Sequence, residues 1–199
     1  QSAMDFGVAV PTIDSSVSMR ILSSFKETRR SGEKIFSKPK SITGDIELND
    51  IENALIYGFI MCYAQGLSQL KITSEEKKYD LNYEEICKIW RGGCIIRAKL
   101  LEEFMFAFKK NPDLVNLIFD SEISQMIKEK DSYARKVSVY SINNKIPSLA
   151  LNSSISYFDA LTTEKLPMNL IQAQRDCFGE HTFERVDMVG TFHNENWQS

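Results

Sequence analysis

Residues 47–72 read ELNDIENALIYGFIMCYAQGLSQLKI, and this stretch decides the class of fold. Apolar residues recur along it at spacings of three and four, and charges are scarce between Asn53 and Lys71. A helix that is apolar on most of its sides is normally a buried helix. Asn49 followed by Glu52 resembles a capping box, which indicates a helix start in this region. The stretch therefore predicts a long buried helix at the centre of a helical domain.

Helical periodicity is also widespread in the rest of the chain, and convincing two-residue alternation is absent. Pro11 is a good first-turn residue, and Asn82 with Glu85 has the pattern of a helix start. Asn111-Pro112 predicts an N-cap followed by the first residue of another helix. The predicted helices besides the central one cover about 11–35, 82–93, 95–109, 120–142, 147–164 and 170–178. The predicted fold is all-α, with many helices and an irregular C-terminal tail.

Composition excludes several functional classes. The 199 residues carry a net charge of −3 with both signs mixed, whereas a nucleic-acid binder would normally show a basic stripe. No run of about 18 apolar residues occurs, so no membrane-spanning helix is expected. The four cysteines form no C-x-x-C pair and only two histidines are present, which argues against a metal site. Free cysteines in apolar surroundings indicate buried thiols in a reducing, cytoplasmic compartment.

Several segments are more specific than this general pattern. They read MRILSSFK at 19–26, YAQG at 63–66, WRGGCIIR at 90–97, LPMNLIQAQRDCFGEHTFE at 166–184 and FHNENW at 192–197. Together they closely resemble the C-terminal domain of the 6-phosphogluconate dehydrogenase family. The resemblance runs from the first residue of the chain to the last.

The resemblance implies an oxidoreductase of the pentose phosphate pathway. Members of this family oxidise 6-phosphogluconate with NADP and decarboxylate the product to ribulose 5-phosphate and CO2. A lysine base and a glutamate acid carry the proton transfers in the family, and neither has a counterpart in these residues, which also hold no G-x-G-x-x-G loop. We therefore expect no catalytic residue here, NADP bound mainly by an absent N-terminal domain, and no dehydrogenase activity from the chain alone. The unusual opening Gln1-Ser2-Ala3-Met4 agrees with a missing upstream portion.

Three residues match substrate-binding positions of the family. By resemblance, Arg20 holds the substrate phosphate, and a guanidinium suits this role because its planar fork fits a phosphate through two hydrogen bonds. Arg175 and His181 match residues that reach into the partner subunit's active site, where the arginine contacts the phosphate and the histidine a substrate oxygen. Cys177 and Glu180 depart from the family's usual tyrosine and alanine.

Each of these residues also has a plainer interpretation. Arg20 could be a surface arginine on a solvated helix face. Arg175 could form a salt bridge with Asp176 or Glu180, and His181 could be a structural histidine in a turn. The WRGGCIIR segment is assigned a structural role, with Gly92-Gly93 at a tight helix junction and Arg91 and Arg97 paired internally. Tyr63 and Gln65 are assigned to packing.

The resemblance also predicts the domain organisation and the oligomeric state. Residues 1–180 would form the all-helical substrate-binding and dimerisation domain, and residues 181–199 a tail that reaches the partner subunit of a homodimer. Phe192 and Trp197 are apolar residues that suit a docking tail. A second hypothesis from another class is a helical interaction module without enzymatic context, and ligand binding would separate the two.

Overall fold

A computed structural model describes residues 1–36, 42–194 and 197. Within them the chain is helical apart from one small hairpin, which confirms the all-α prediction. The α-helices are α1 Ser2–Asp5, α2 Pro11–Ser24, α3 Lys26–Ile35, α4 Leu48–Lys77, α5 Tyr83–Gly93, α6 Leu100–Lys110, α7 Ser121–Asn143, α8 Leu149–Leu161 and α9 Asn169–Gly179, with a 3-10 turn at Leu117–Phe119. The strands are β1 Phe183–Glu184 and β2 Thr191–Phe192. Residues 1–158 and 159–199 form two separate compact units.

The first unit is built around α4. One side of this 30-residue helix buries Tyr57, Ile60, Met61 and Ala64 and packs mainly against α7. Its opposite side is also apolar but stays exposed within this chain, and the side chains concerned are Leu48, Leu55 and Phe59. The prediction of a long central helix is confirmed, although burial within the chain covers only part of its circumference.

The start of α4 differs from the prediction by two residues. The capping box is formed by Glu47 and Asp50, because the Glu47 backbone N–H donates to Asp50 Oδ2 over 2.9 Å. Lys136 of α7 reaches the same oxygen at 2.6 Å. This hydrogen bond is the main reason that the pKa of Asp50 lies below its usual value. The predicted Asn49–Glu52 pair was wrong because a contact from a distant helix favours the earlier carboxylates.

Other boundaries also differ from the sequence expectation. The predicted helix over 11–35 breaks at Phe25, whose ψ of 59° is not helical. The helix predicted from residue 95 begins at Leu100. Asn111-Pro112 opens no helix, because the Asn111 side chain accepts the Asp113 N–H at 3.1 Å and forms a tight turn.

The packing residues predicted from the sequence have specific partners. Gln65 is fully buried and joins α4 to α2 by accepting the Thr12 N–H at 2.9 Å and donating to the Thr12 hydroxyl at 2.7 Å. The Tyr63 ring lies against Phe104, and its hydroxyl donates to the Ile96 carbonyl. Polar and aromatic contacts of this kind fix the spacing between α4 and its neighbours.

The Gly92-Gly93 segment ends α5, as predicted. Arg91 pairs with Glu102 at 2.6 Å, which confirms its predicted internal pairing. The prediction was wrong for Arg97, which is exposed and makes no ion pair within the described part of the chain.

The cysteines do not share one environment. Cys87 is buried, and the loss of solvation raises its pKa to about 12. Cys62 and Cys94 are half-buried, but Cys177 is exposed on α9, so the expectation of an apolar setting was wrong for this residue.

The second unit contains α9 and the C-terminal tail, and a single carboxylate holds the two together. Asp176 is fully buried. Its Oδ1 accepts the Thr182 N–H at 2.8 Å and lies 2.9 Å from His193 Nδ1. Its Oδ2 accepts the Asn194 N–H and the Trp197 indole N–H, each at 3.0 Å. The tail expected to be irregular is thus tied to α9 by side-chain hydrogen bonds.

The tail also contains regular structure that the sequence did not predict. Strands β1 and β2 pair antiparallel, with Phe183 opposite Phe192 and their ring centroids 6.3 Å apart. Two residues per strand are too few to show a two-residue alternation in sequence. Residues 195, 196, 198 and 199 of the predicted tail lie outside the described residues.

We expect Gln65→Leu to lower the free energy of unfolding by about 2–3 kcal/mol, because the buried Thr12 N–H and hydroxyl lose their partner. Urea denaturation would measure the change. Gln69→Leu is the matched control, since the Gln69 amide makes only an exposed contact with Ser2, and a change within about 0.5 kcal/mol is expected for it. Equal losses in the two variants would contradict the role given to Gln65.

We also expect the tail to detach from α9 at acid pH, over a pH range set by the pKa of Asp176. Burial raises the pKa of this carboxyl, but the hydrogen bonds from His193, Asn194, Trp197 and Thr182 outweigh it, and the net pKa is about 2. An unfolded aspartate titrates near 3.9. The stabilisation is therefore complete above about pH 4 and is lost as the pH falls towards 2. Trp197 fluorescence would follow the loss, with Trp90→Phe removing the second tryptophan.

Asp176→Asn should release Trp197 already at neutral pH, because an uncharged amide offers one acceptor oxygen where the carboxylate offers two. Asp187→Asn is the control, since this exposed carboxylate in the same unit forms its salt bridge with the neighbouring Arg185. Native Trp197 emission in Asp176→Asn at pH 7 would contradict the anchoring role of the carboxylate.

Candidate functional site

The candidate site in the second unit begins with Arg175 on α9. Neighbouring residues of an α-helix point about 100° apart, so Arg175 is exposed while the adjacent Asp176 is buried under the tail. Its guanidinium Nη1 lies 3.4 Å from Gln172 Oε1. Within the described residues Arg175 forms no salt bridge with Asp176 or Glu180, because Asp176 is occupied by donors from the tail. The salt-bridge interpretation of Arg175 is therefore not realised.

His181 lies in the turn that follows α9. The helix ends at Glu180 in the left-handed conformation with φ of 52°, and Thr182 repeats it with φ of 61°. This sharp reversal brings the imidazole back over the last helical turn, where His181 Nε2 is 3.1 Å from the point that a Cβ on Gly179 would occupy. The ring is exposed and makes no hydrogen bond within the described residues. Both ring nitrogens are therefore accessible to a ligand.

The Glu180 carboxylate directly precedes His181 in the sequence. Its Oε1 lies 3.9 Å from His193 Nε2, and the side chain is 81% exposed. The departure from the family's alanine therefore adds a solvated carboxylate near His193. Cys177, the other departure, is exposed on α9.

Sequence reasoning missed the two residues that organise this region. Asp176 anchors the tail, and Gln172 donates from Nε2 to the Thr182 carbonyl over 2.5 Å. Both belong to the QAQRD run that carried the family resemblance. The motif was recognisable in the sequence, but its residues alone do not show which of its polar side chains face inward.

Arg20 belongs to the first unit. It is exposed near the C-terminal end of α2 and makes no side-chain ion pair within the described part of the chain. Its neighbours Val17, Ile21 and Leu22 are each at least half exposed. An apolar exposed surface of this kind differs from the ordinary solvated helix face that the plainer interpretation requires. The structure places Arg175 on α9 and His181 in the turn that follows this helix, both in the second unit, and it places Arg20 in the first unit.

Neither a metal-ligand cluster nor a membrane-spanning helix occurs in the described ranges 1–36, 42–194 and 197. No group of three or more histidine, cysteine, aspartate or glutamate residues there could hold a metal ion. No helix in the same ranges is both long and apolar enough to cross a membrane.

Comparison with known proteins places this geometry in a family. Residues 1–197 match the family model described as 6-phosphogluconate dehydrogenase, C-terminal domain. A rice relative named 6-phosphogluconate dehydrogenase, decarboxylating 1, is 41% identical over 98% of this chain. A Bacillus subtilis relative named as the NADP(+)-dependent, decarboxylating enzyme is also 41% identical over 98% of the chain. The chain spans 42% of the length of each relative.

A solved structure shows the same likeness in three dimensions. The Plasmodium falciparum 6-phosphogluconate dehydrogenase superposes with a TM-score of 0.91 at 41% identity, covering 98% of this chain and 43% of that one. That protein is described in its apo form, in complex with its cofactor NADP+ and in complex with its substrate 6-phosphogluconate. Because sequence and fold agree over nearly every residue, the chain belongs to the 6-phosphogluconate dehydrogenase C-terminal domain family.

Proposed function

We propose that this domain supplies substrate binding and the dimer interface of an NADP-dependent 6-phosphogluconate dehydrogenase. The enzyme would convert 6-phosphogluconate to ribulose 5-phosphate and CO2 in the pentose phosphate pathway. The observation that carries the proposal is the segment from Arg175 to His181, a family motif in which both side chains are exposed and form no salt bridge within the described residues. Four cysteines, all present as free thiols, support a cytoplasmic setting.

The proposed chemistry follows from the side chains present. A sugar phosphate carries close to two negative charges at neutral pH, and guanidinium groups bind such an anion through paired hydrogen bonds. Arg20 and Arg175 are assigned to the phosphate, and His181 is assigned to a substrate oxygen. Both guanidinium groups are exposed, and neither is paired with a carboxylate of the described chain.

Hydride transfer and proton transfer are assigned to a nucleotide-binding domain rather than to these residues. The 199 residues contain no glycine-rich dinucleotide loop, and the family resemblance places the lysine base and glutamate acid outside them. NADP would be bound mainly by that other domain, where it accepts the hydride. The helical domain contributes binding energy and orientation at the phosphate end of the substrate.

The homodimer is proposed on the exposed apolar surface of the first unit. Val17 and Ile21 of α2, Phe25 directly after it, and Leu55 and Phe59 of α4 are all at least half exposed. Apolar patches of this kind mark interaction sites on proteins that would otherwise expose them to water. A two-fold interface would cover the same surface on both subunits.

We expect Arg175→Ala and Arg20→Ala, made in the full-length protein, each to raise the KM for 6-phosphogluconate roughly ten- to hundredfold, because each removes charged hydrogen bonds to the phosphate. The KM would be obtained from initial rates of NADPH formation, followed by its absorbance. Lys88→Ala is the control, since Lys88 is a surface cation paired with Glu85, and the KM of this variant should not change.

The 199 residues alone should form no NADPH.

A normal KM in both arginine variants would remove the site assignment. If the unaltered full-length protein formed no NADPH from 6-phosphogluconate, the enzymatic proposal would fail and the helical interaction module would take its place.

The dimer can be tested by mass measurement in solution, where the 199-residue chain should appear at twice its 22.8 kDa. Val17→Glu should shift the mass towards the monomer, because a charge would be buried in the interface. Ser18→Glu places the same charge at the next position of α2 as a control. A monomer at every concentration for the unaltered chain would overturn the dimer proposal for this domain.

A further inference from the structure

We propose that Gly179 and Gln172 are positioning residues that set the spacing of His181 and Arg175 for one phosphorylated ligand. The inference rests on the proposed function, because it concerns the same two binding side chains. Neither residue offers a charge of its own. Their role follows from the position of the Gln172 side chain and from the space that the absent Cβ of Gly179 leaves at the end of α9.

Gly179 provides the space in which the His181 ring lies. A Cβ at residue 179 would stand 3.1 Å from both Cδ2 and Nε2 of the imidazole. Residues 175 and 179 are four apart and therefore share one face of the helix. The ring thus lies against the face that carries Arg175, and the Cβ of an alanine at 179 would force the ring to shift by a few tenths of an ångström.

Gln172 ties the two binding residues to each other. Its Oε1 lies 3.4 Å from Arg175 Nη1, and its Nε2 donates to the Thr182 carbonyl, the residue directly after His181. One amide therefore contacts the guanidinium and the backbone that carries the imidazole. Side chains three residues apart on a helix are neighbours, which makes the first contact geometrically easy.

The backbone of the turn cannot shift freely to relieve a clash. Asp176 accepts the Thr182 N–H at 2.8 Å, and the same carboxylate is held by the tail. By contrast the His181 ring is exposed and unbonded within the described residues. A methyl group on residue 179 would therefore displace the imidazole rather than unfold the turn, because the ring makes no hydrogen bond within the described residues that would oppose a small shift.

In this arrangement the Arg175 and His181 side chains already lie in defined positions before a ligand binds. A ligand that meets side chains already placed loses less conformational freedom on binding than one that must order them. Displacing the imidazole should cost its hydrogen bond to the ligand but leave the fold intact. Because the redox chemistry is assigned to the other domain, the effect should fall on substrate binding.

Gly179→Ala in the full-length protein tests the proposal. We expect the KM for 6-phosphogluconate to rise roughly tenfold, as for one hydrogen bond to a charged group, with kcat and the KM for NADP little changed, which is the pattern for lost ground-state binding. Thermal stability should not fall, since alanine suits a helix better than glycine. Gly32→Ala is the control, because Gly32 is also helical and its added Cβ meets no atom within 4 Å.

A double-variant comparison separates positioning from a general structural effect. In a His181→Ala background, Gly179→Ala should add no further rise in KM, because there is no ring left to displace. Gln172→Met, which keeps the length of the side chain but loses both contacts, should raise the KM in the same way and independently of Gly179.

The results of these measurements separate a failure of the positioning role from a failure of the proposed function. Activity in the unaltered protein with an unchanged KM in Gly179→Ala would overturn the positioning role alone. An equal rise with and without His181 would also overturn it, since the effect would not pass through the imidazole. Absence of 6-phosphogluconate-dependent NADPH formation in the unaltered protein would overturn the positioning role and the proposed function together.

Discussion

The buried carboxylate of Asp176 is the constraint on which the second unit depends. A charge without solvent is costly unless it is hydrogen-bonded, and here each carboxylate oxygen meets two groups from the turn or the tail. These groups come from residues up to 21 positions away in the chain. The carboxylate therefore substitutes for the large apolar core that a unit of this size does not have. It also explains why a tail with only two two-residue strands keeps a defined path.

The same residue separates the anchoring of the tail from the proposed ligand binding along α9. Asp176 points into the unit, and Arg175, one position earlier, points to solvent because the helix turns by about 100° per residue. If Asp176 were free, it would be a natural ion-pair partner for Arg175 and would reduce its positive charge. Since its oxygens are taken by the tail, the arginine stays available. His181 gains the same availability from a turn that places its ring outside the hydrogen-bond network.

The first unit is organised by α4 in a different way. Its buried side is mostly apolar, yet Gln65 lies at zero exposure with both amide atoms bonded to Thr12. A polar contact in such a position selects one arrangement of α2 against α4, since any other leaves the amide unsatisfied. The exposed side of α4 and the exposed apolar residues of α2 remain without partners within the described chain. These surfaces support the view of a domain that works inside a larger assembly.

The sequence by itself determined the helical class, the long central helix and the motif that holds Arg175 and His181. Helix periodicity and short motifs are local properties, so they can be read from neighbouring residues. Only the tertiary structure decided that Asp50 rather than Glu52 caps α4, that Asp176 faces the tail rather than Arg175, and that the His181 ring lies over Gly179. Each of these depends on which direction a side chain takes and on a partner from another segment. The capping carboxylate is chosen by Lys136, 86 residues away, and no local pattern records a contact at that distance.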